Sequence, residues 1–135
     1  MLDTCIVVDM IINANKLSKY VFELLYNYGC TLYASFETLR ELVVLFNNKK
    51  ISAKQWKTAK DVLNTVKNDL DIKILPLREE VAYTYSQLQL NEAFNHYDPS
   101  DHIIISQAIT EKIPLISSDQ KFPFYREQGL DLIEC

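Results

Sequence analysis

The sequence predicts an α/β fold in which a parallel sheet carries helices on both faces. Three observations lead there. Short apolar runs alternate with helical periodicities from end to end. Only two glycines occur, too few for an all-β chain of tight turns or for a glycine-rich phosphate loop. Finally, the stretch from His96 to Asp119 reads as a capped helix followed by a short buried strand. Asp98 is a good N-cap, Pro99 suits the first helical position, and Pro114 forbids continuation of the helix.

Taken in order, Cys5-Ile6-Val7-Val8 has strand composition, but Thr4 can equally begin a helix with Asp3 as its cap; over so few residues the pattern does not choose. Residues 16–28 read as a helix with Val21, Leu24, Leu25 and Tyr28 on one face and Gly29 at C′. Thr31-Leu32-Tyr33-Ala34 is the next strand. Ser35 starts a helix whose Leu39, Leu42, Val43 and Phe46 form an amphipathic stripe. Ser52 and Gln55 have capping-box spacing ahead of a helix bearing Trp56, Ala59, Leu63 and Val66. Residues 71–75 alternate with period two and end at Pro76, a half-buried strand. Residues 79–94 are helical, with Val81, Tyr85 and Leu88 along one side. Residues 120–125 form an aromatic turn over the sheet edge, and 130–133 the last strand.

The 135 residues suit a single domain, 1–135, with one core. No membrane span or leader peptide is expected. Three cysteines without CxxC spacing fit a reducing cytosol rather than a disulfide frame, so the expected location is cytoplasmic. The net charge of −4 weighs against non-specific nucleic-acid binding, unless acidic residues gather around a cation that reverses the local field.

Such a gathering is expected. In a parallel sheet all strand C-termini share one edge. Asp3 and Asp119 follow strands, Asp101 begins a helix, and Glu41 reaches in from the helix after the second strand. Each has an ordinary use by itself: a cap, a solvated helix residue, a first-turn acid, a turn residue. Converging, they repel one another unless a hard cation such as Mg²⁺ or Mn²⁺ is held between them.

Together the pieces resemble a family. Leu2-Asp3-Thr4-Cys5-Ile6-Val7-Val8, Ser35-Phe36-Glu37-Thr38-Leu39-Arg40-Glu41-Leu42, the run from His96-Tyr97-Asp98-Pro99-Ser100-Asp101-His102 to Ala108, and Pro114-Leu115-Ile116-Ser117-Ser118-Asp119-Gln120-Lys121-Phe122 are similar to the successive motifs of PIN-domain nucleases. More closely, they resemble VapC-type toxins of bacterial toxin–antitoxin modules, over essentially the whole chain. The Asp-Pro-x-Asp block with its later Ser-Asp-x-x-Phe is the most specific part.

The resemblance implies a PIN-like three-layer fold with a short central parallel sheet of four to five strands, and a helix over 4–12. It implies a Mg²⁺- or Mn²⁺-dependent endoribonuclease in which Asp3, Glu41, Asp101 and Asp119 are the catalytic, metal-holding acids. Thr4, Ser118 or Ser117, and His102 are candidates for support of those acids or for phosphate contact. The implied partners are an RNA substrate, a cognate antitoxin whose basic side chain fills the acidic groove, and a second copy in a homodimer formed through the early helices. The chain departs from the pattern at His102, where arginine is common, and at Cys5, where histidine or asparagine is common. His102 reads either as a phosphate contact when protonated or as a surface histidine. Lys49, Lys50, Lys54 and Lys57 read either as an RNA-tracking run or as a solvated face. The competing reading is a catalytically silent scaffold that binds RNA or protein. A phosphorylated receiver domain is disfavoured, because adjacent acids after the first strand and a lysine after the last are missing.

Overall fold

The computed structural model describes every residue except Tyr28, so the place of Tyr28 on a helix face lies outside the described residues. Helices α1 (Thr4–Ile12), α2 (Lys19–Leu25), α3 (Phe36–Asn47), α4 (Ala59–Asn64), α5 (Glu79–Gln87) and α6 (Pro99–Glu111) alternate with strands β1 (Tyr33–Ser35), β2 (Lys73–Leu75), β3 (Leu115–Ser117) and β4 (Leu132–Glu134). β1 pairs with β2 and β3 with β4, both parallel. Leu2 joins the two pairs through parallel bridges to Ala34 and Ile116. The sheet order is therefore β2-β1-Leu2-β3-β4, with a central strand reduced to a single bridging residue. Its backbone is held on both sides: the Leu2 N–H donates to the Tyr33 carbonyl at 2.7 Å and the Asp3 N–H to the Ile116 carbonyl at 3.0 Å.

Strand alternation sorts the core into two. Leu2, Ala34, Ile74, Ile116 and Ile133 face a cluster with Ile6, Val7, Val21, Leu42, Val62 and Val66. Their chain neighbours Met1, Tyr33, Leu75, Leu115 and Leu132 face a second cluster with Ile104, Ile105, Phe122 and Tyr125. The sheet is thus the middle of three layers, as the resemblance implies. Leu2 is 1% exposed at its centre. Leu2→Ala is expected to cost about 2–5 kcal/mol, seen as a lower denaturant midpoint at unchanged slope.

Several elements differ from the sequence expectation. The run 5–8 is helix: Asp3 caps α1 by accepting the Thr4 N–H, and Leu2 alone serves as the strand. The helix expected over 16–28 is a 3₁₀ turn (Ala14–Lys16) and then α2, capped by Ser18 and ended at Tyr26; Gly29 plays no capping part, and its N–H is taken by the Asn27 side chain. The capping box lies not at Ser52 and Gln55 but at Thr58 and Asp61, whose carboxylate accepts from the Thr58 N–H at 2.7 Å. The later start lets the non-helical Trp56 bury its ring and donate to Thr65 at 3.0 Å. α5 stops at Gln87 because the next backbone is captured from across the fold. The Gln128 amide accepts the Gln89 N–H at 2.8 Å and donates to the Gln89 carbonyl at 3.0 Å. Phe122–Gln128 is a 3₁₀ helix rather than a turn, and it buries Phe122 and Tyr125. The last strand is Leu132–Glu134.

Candidate active site

The parallel strands bring their C-terminal ends to one edge, where Asp3 follows Leu2 and Asp119 follows β3. Asp3 is 4% exposed. Its Oδ1 accepts the Thr4 N–H at 2.7 Å, and its Oδ2 accepts the Ser117 hydroxyl at 2.6 Å and the Cys5 thiol at 3.1 Å. Burial raises its pKa, the three hydrogen bonds oppose that, and the Asp119 charge adds to the rise.

Glu41 arrives from the second turn of α3. The Thr4 hydroxyl donates to its Oε2 at 2.5 Å, so Thr4 links the first two acids with its backbone on one and its side chain on the other. Burial again pushes the Glu41 carboxyl up, reinforced by Asp3, Asp98 and Glu37.

Asp101 enters from the first turn of α6, whose cap Asp98 accepts the Ser100 N–H at 2.9 Å. Its Oδ2 lies 2.9 Å from His96 Nε2. Burial and then the charges of Asp3, Asp98, Glu41 and Asp119 push its pKa up to about 8. Asp119 is fixed by backbone: its N–H donates to the Ser117 hydroxyl at 3.0 Å and its Oδ1 accepts the Lys121 N–H at 2.8 Å. Ligand atoms of His96, Asp101 and Asp119 all lie within 4.8 Å of one another. Asp3 and Glu41 stand outside this tight trio but are coupled to it by charge and, for Asp3, through Ser117.

Two supporting residues are placed otherwise than expected. Of the two candidate serines, Ser118 is exposed and donates to Cys5 at 3.3 Å, whereas Ser117 faces inward and bridges Asp3 and Asp119. His102 is not a surface residue. It falls on the buried face of α6 with Ile105 and Ser106, is 2% exposed, and packs its ring among Tyr85, His96 and Tyr125. Burial holds its pKa below the usual histidine value.

Two further residues carry weight that the sequence did not assign. His96 is 1% exposed and contacts Asp101 directly. Glu37 is 5% exposed and ties α3 to α6: Arg40 donates to it at 2.6 and 2.8 Å, and the Ser100 hydroxyl at 2.7 Å. Burial opposes ionisation of Glu37, but Arg40 and Ser100 outweigh it and hold the carboxyl below its usual value. The Glu37/Arg40 spacing of three was the available signal. Glu37→Gln is expected to cost about 1–2 kcal/mol and to lower Tm by a few degrees in a thermal melt.

Among the described residues no lysine or arginine pairs with Asp3, Glu41, Asp101 or Asp119. A half-buried group of carboxylates without a lysine or arginine partner is a poor structural device and a good set of hard oxygen donors. The donor chemistry therefore fits Mg²⁺ or Mn²⁺.

A family model described as the PIN domain matches residues 1–127. The chain belongs to the PIN domain family. Solved structures similar to this PIN domain include a chain of VapBC2 from Rickettsia felis, in a complex bound to a DNA fragment from its promoter; the identity is 24%, the TM-score 0.73, and the match covers 99% of this chain and 96% of that one. A chain of VapBC-1 from nontypeable Haemophilus influenzae matches at 21% identity and TM-score 0.68, with the same coverage. A chain of VapBC-5 from Mycobacterium tuberculosis, a member of the VapBC family of toxin–antitoxin systems, matches at 22% identity and TM-score 0.55 over 75% of this PIN domain and 79% of that chain. These likenesses show a shared fold. No curated protein matches the sequence.

Proposed function

We propose that this PIN domain is a VapC-type toxin: a Mg²⁺- or Mn²⁺-dependent endoribonuclease paired with a cognate antitoxin. The observation that carries the reading is the convergence of Asp3, Glu41, Asp101 and Asp119 at the C-terminal edge of the sheet, with no lysine or arginine paired to them among the described residues and with Asp101 pushed up to about 8. The four acids would hold the ion. When bound, the ion offsets charge on a phosphodiester and acidifies water beside it. The chain's own groups orient the acids: Ser117 holds Asp3, Thr4 holds Glu41, His96 holds Asp101, and the backbone of Lys121 holds Asp119. Exposed Lys49, Lys50, Lys54 and Lys57 offer phosphate contacts to RNA.

The antitoxin reading draws support from the three VapBC neighbours and from chemistry, since an acidic groove suits an arginine. Exposed Ile12, Tyr20, Phe22 and Tyr26 on and beside the first two helices support a homodimer. One domain over 1–135 accords with a sheet built from residues near both ends. No helix among the described residues is long and apolar enough to cross a membrane, and the three thiols are unpaired, which accords with a cytoplasmic protein.

The test is cleavage of structured RNA by the wild type and Asp3→Asn, with Mn²⁺ and with EDTA. Cation-dependent cleavage by the wild type alone is the expected result. Equal cleavage by both proteins would remove Asp3 from the mechanism. A wild type that neither binds Mn²⁺ nor cuts would be the silent scaffold.

A further inference from the structure

The Tyr125 side chain is fully buried, and its hydroxyl is the centre of a closed set of polar contacts. It lies 2.8 Å from His96 Nδ1, 3.1 Å from His102 Nε2 and 3.3 Å from the Asn91 N–H. The opposite nitrogen of His96, Nε2, lies 2.9 Å from Asp101 Oδ2. A phenol has one proton and two lone pairs, and a neutral imidazole has one N–H and one bare nitrogen. The Asn91 N–H can only donate, so it occupies one lone pair of the phenol oxygen.

With Asp101 ionised, as it would be beside a bound cation, and with His102 donating through Nε2, the protons of these contacts run one way. A carboxylate only accepts, so His96 carries its proton on Nε2. His96 Nδ1 is then bare and accepts the Tyr125 proton. The last lone pair of Tyr125 accepts the proton on His102 Nε2. Each of the four contacts then joins one donor to one acceptor, as a buried network requires.

We propose that His96 and Tyr125, backed by His102, are positioning residues: a one-way hydrogen-bond chain from His102 through Tyr125 and His96 that clamps Oδ2 of Asp101. Oδ1 of Asp101 has no protein partner among the described residues and is the oxygen left to a cation. The proposal rests on the reading of Asp101 as a cation-holding acid. It also assigns His96 one of two roles, which its tautomer separates. Its Nε2 is close enough to Asp101 and Asp119 to join them as a ligand, but a nitrogen bearing a proton has no lone pair to give.

The test is long-range ¹⁵N–¹H NMR on the full-length protein with labelled histidines, titrated with Mg²⁺. In the Mg²⁺-bound protein both His96 and His102 are expected as neutral Nε2–H tautomers. A His96 with the proton on Nδ1 and bare Nε2 overturns the proposal and makes His96 a ligand. Tyr125→Phe, with folding checked by circular dichroism, is expected to weaken Mg²⁺ binding by about tenfold and to release the fixed tautomer of His96. An unchanged affinity overturns the proposal. If Tyr125→Phe does not fold, the wild-type tautomers decide alone. A wild type in which Mg²⁺ moves no signal fails the cation reading itself, and this proposal with it; a wild type that binds Mg²⁺ with the other tautomer fails the proposal only.

Discussion

Asp101→Asn is expected to weaken Mn²⁺ binding by about a hundredfold or more and to remove cation-dependent RNA cleavage with it. The substitution keeps the shape of the side chain and removes its charge. Asp101 stands where burial and four neighbouring carboxylates already oppose ionisation, so the apo protein loses a repulsion. The variant should therefore be more stable than the wild type in EDTA at pH 8 while being inactive. A merely structural role for Asp101 gives the opposite pairing, with activity and stability falling together. Parallel measurements of Mn²⁺ binding, RNA cleavage and urea midpoint separate the two.

The contribution of Asp101 to wild-type stability in EDTA should fall as pH rises from about 4 to 8. The Asp101 carboxyl moves from an ordinary 3.8 up to about 8 on folding. Between those values the folded state binds more protons than the unfolded state, so the slope of stability with pH is negative. The whole contribution is of order a few kcal/mol. The buried Met1 amine works the other way. Burial brings it from 8.0 down to about 6, the unfolded state binds more protons between those values, and its contribution rises with pH there. The Asp101 effect is read from the difference between wild type and Asp101→Asn, which share Met1. That difference should widen from pH 5 to pH 8 in EDTA. Saturating Mg²⁺ should flatten it, because the ion favours the ionised carboxylate. Parallel curves for the two proteins across this range would contradict the placement of Asp101 in a crowded acidic site.

The parts of the fold that were legible were those governed by neighbours in the chain. Asp98, Pro99 and Pro114 frame α6, and α6 and β3 lie where those residues put them. Ser35 caps α3 for the same reason. The misread elements were those decided at long range. Gln89 is drawn out of helix by Gln128, 39 residues on, and α4 starts late so that Trp56 reaches the core. Leu2 does the work of a strand with one residue, too short for any period to register.

The site divides along the same line. Asp101 and Asp119 sit together because each ends or begins an element whose place was legible. His96 was not visible as a contact because its partner Tyr125 is 29 positions away. His102 was misread because its neighbours Tyr85 and Tyr125 come from two other helices. Ser117 and Ser118 could not be told apart until the strand fixed which of them faces inward.

The single-residue centre of the sheet has a consequence for how the protein is made. Leu2 is complete only when Ala34 and Ile116 flank it, and Asp3 is held by a serine 114 positions later. Contacts this distant close slowly and late. At ribosomal rates of roughly 5–20 residues per second, the first acid waits several seconds for the last. An incomplete chain that lacks β3 has neither the middle of its sheet nor the Ser117 and Asp119 corner. The acidic corner is therefore assembled only near the end of synthesis, after β3 has been made.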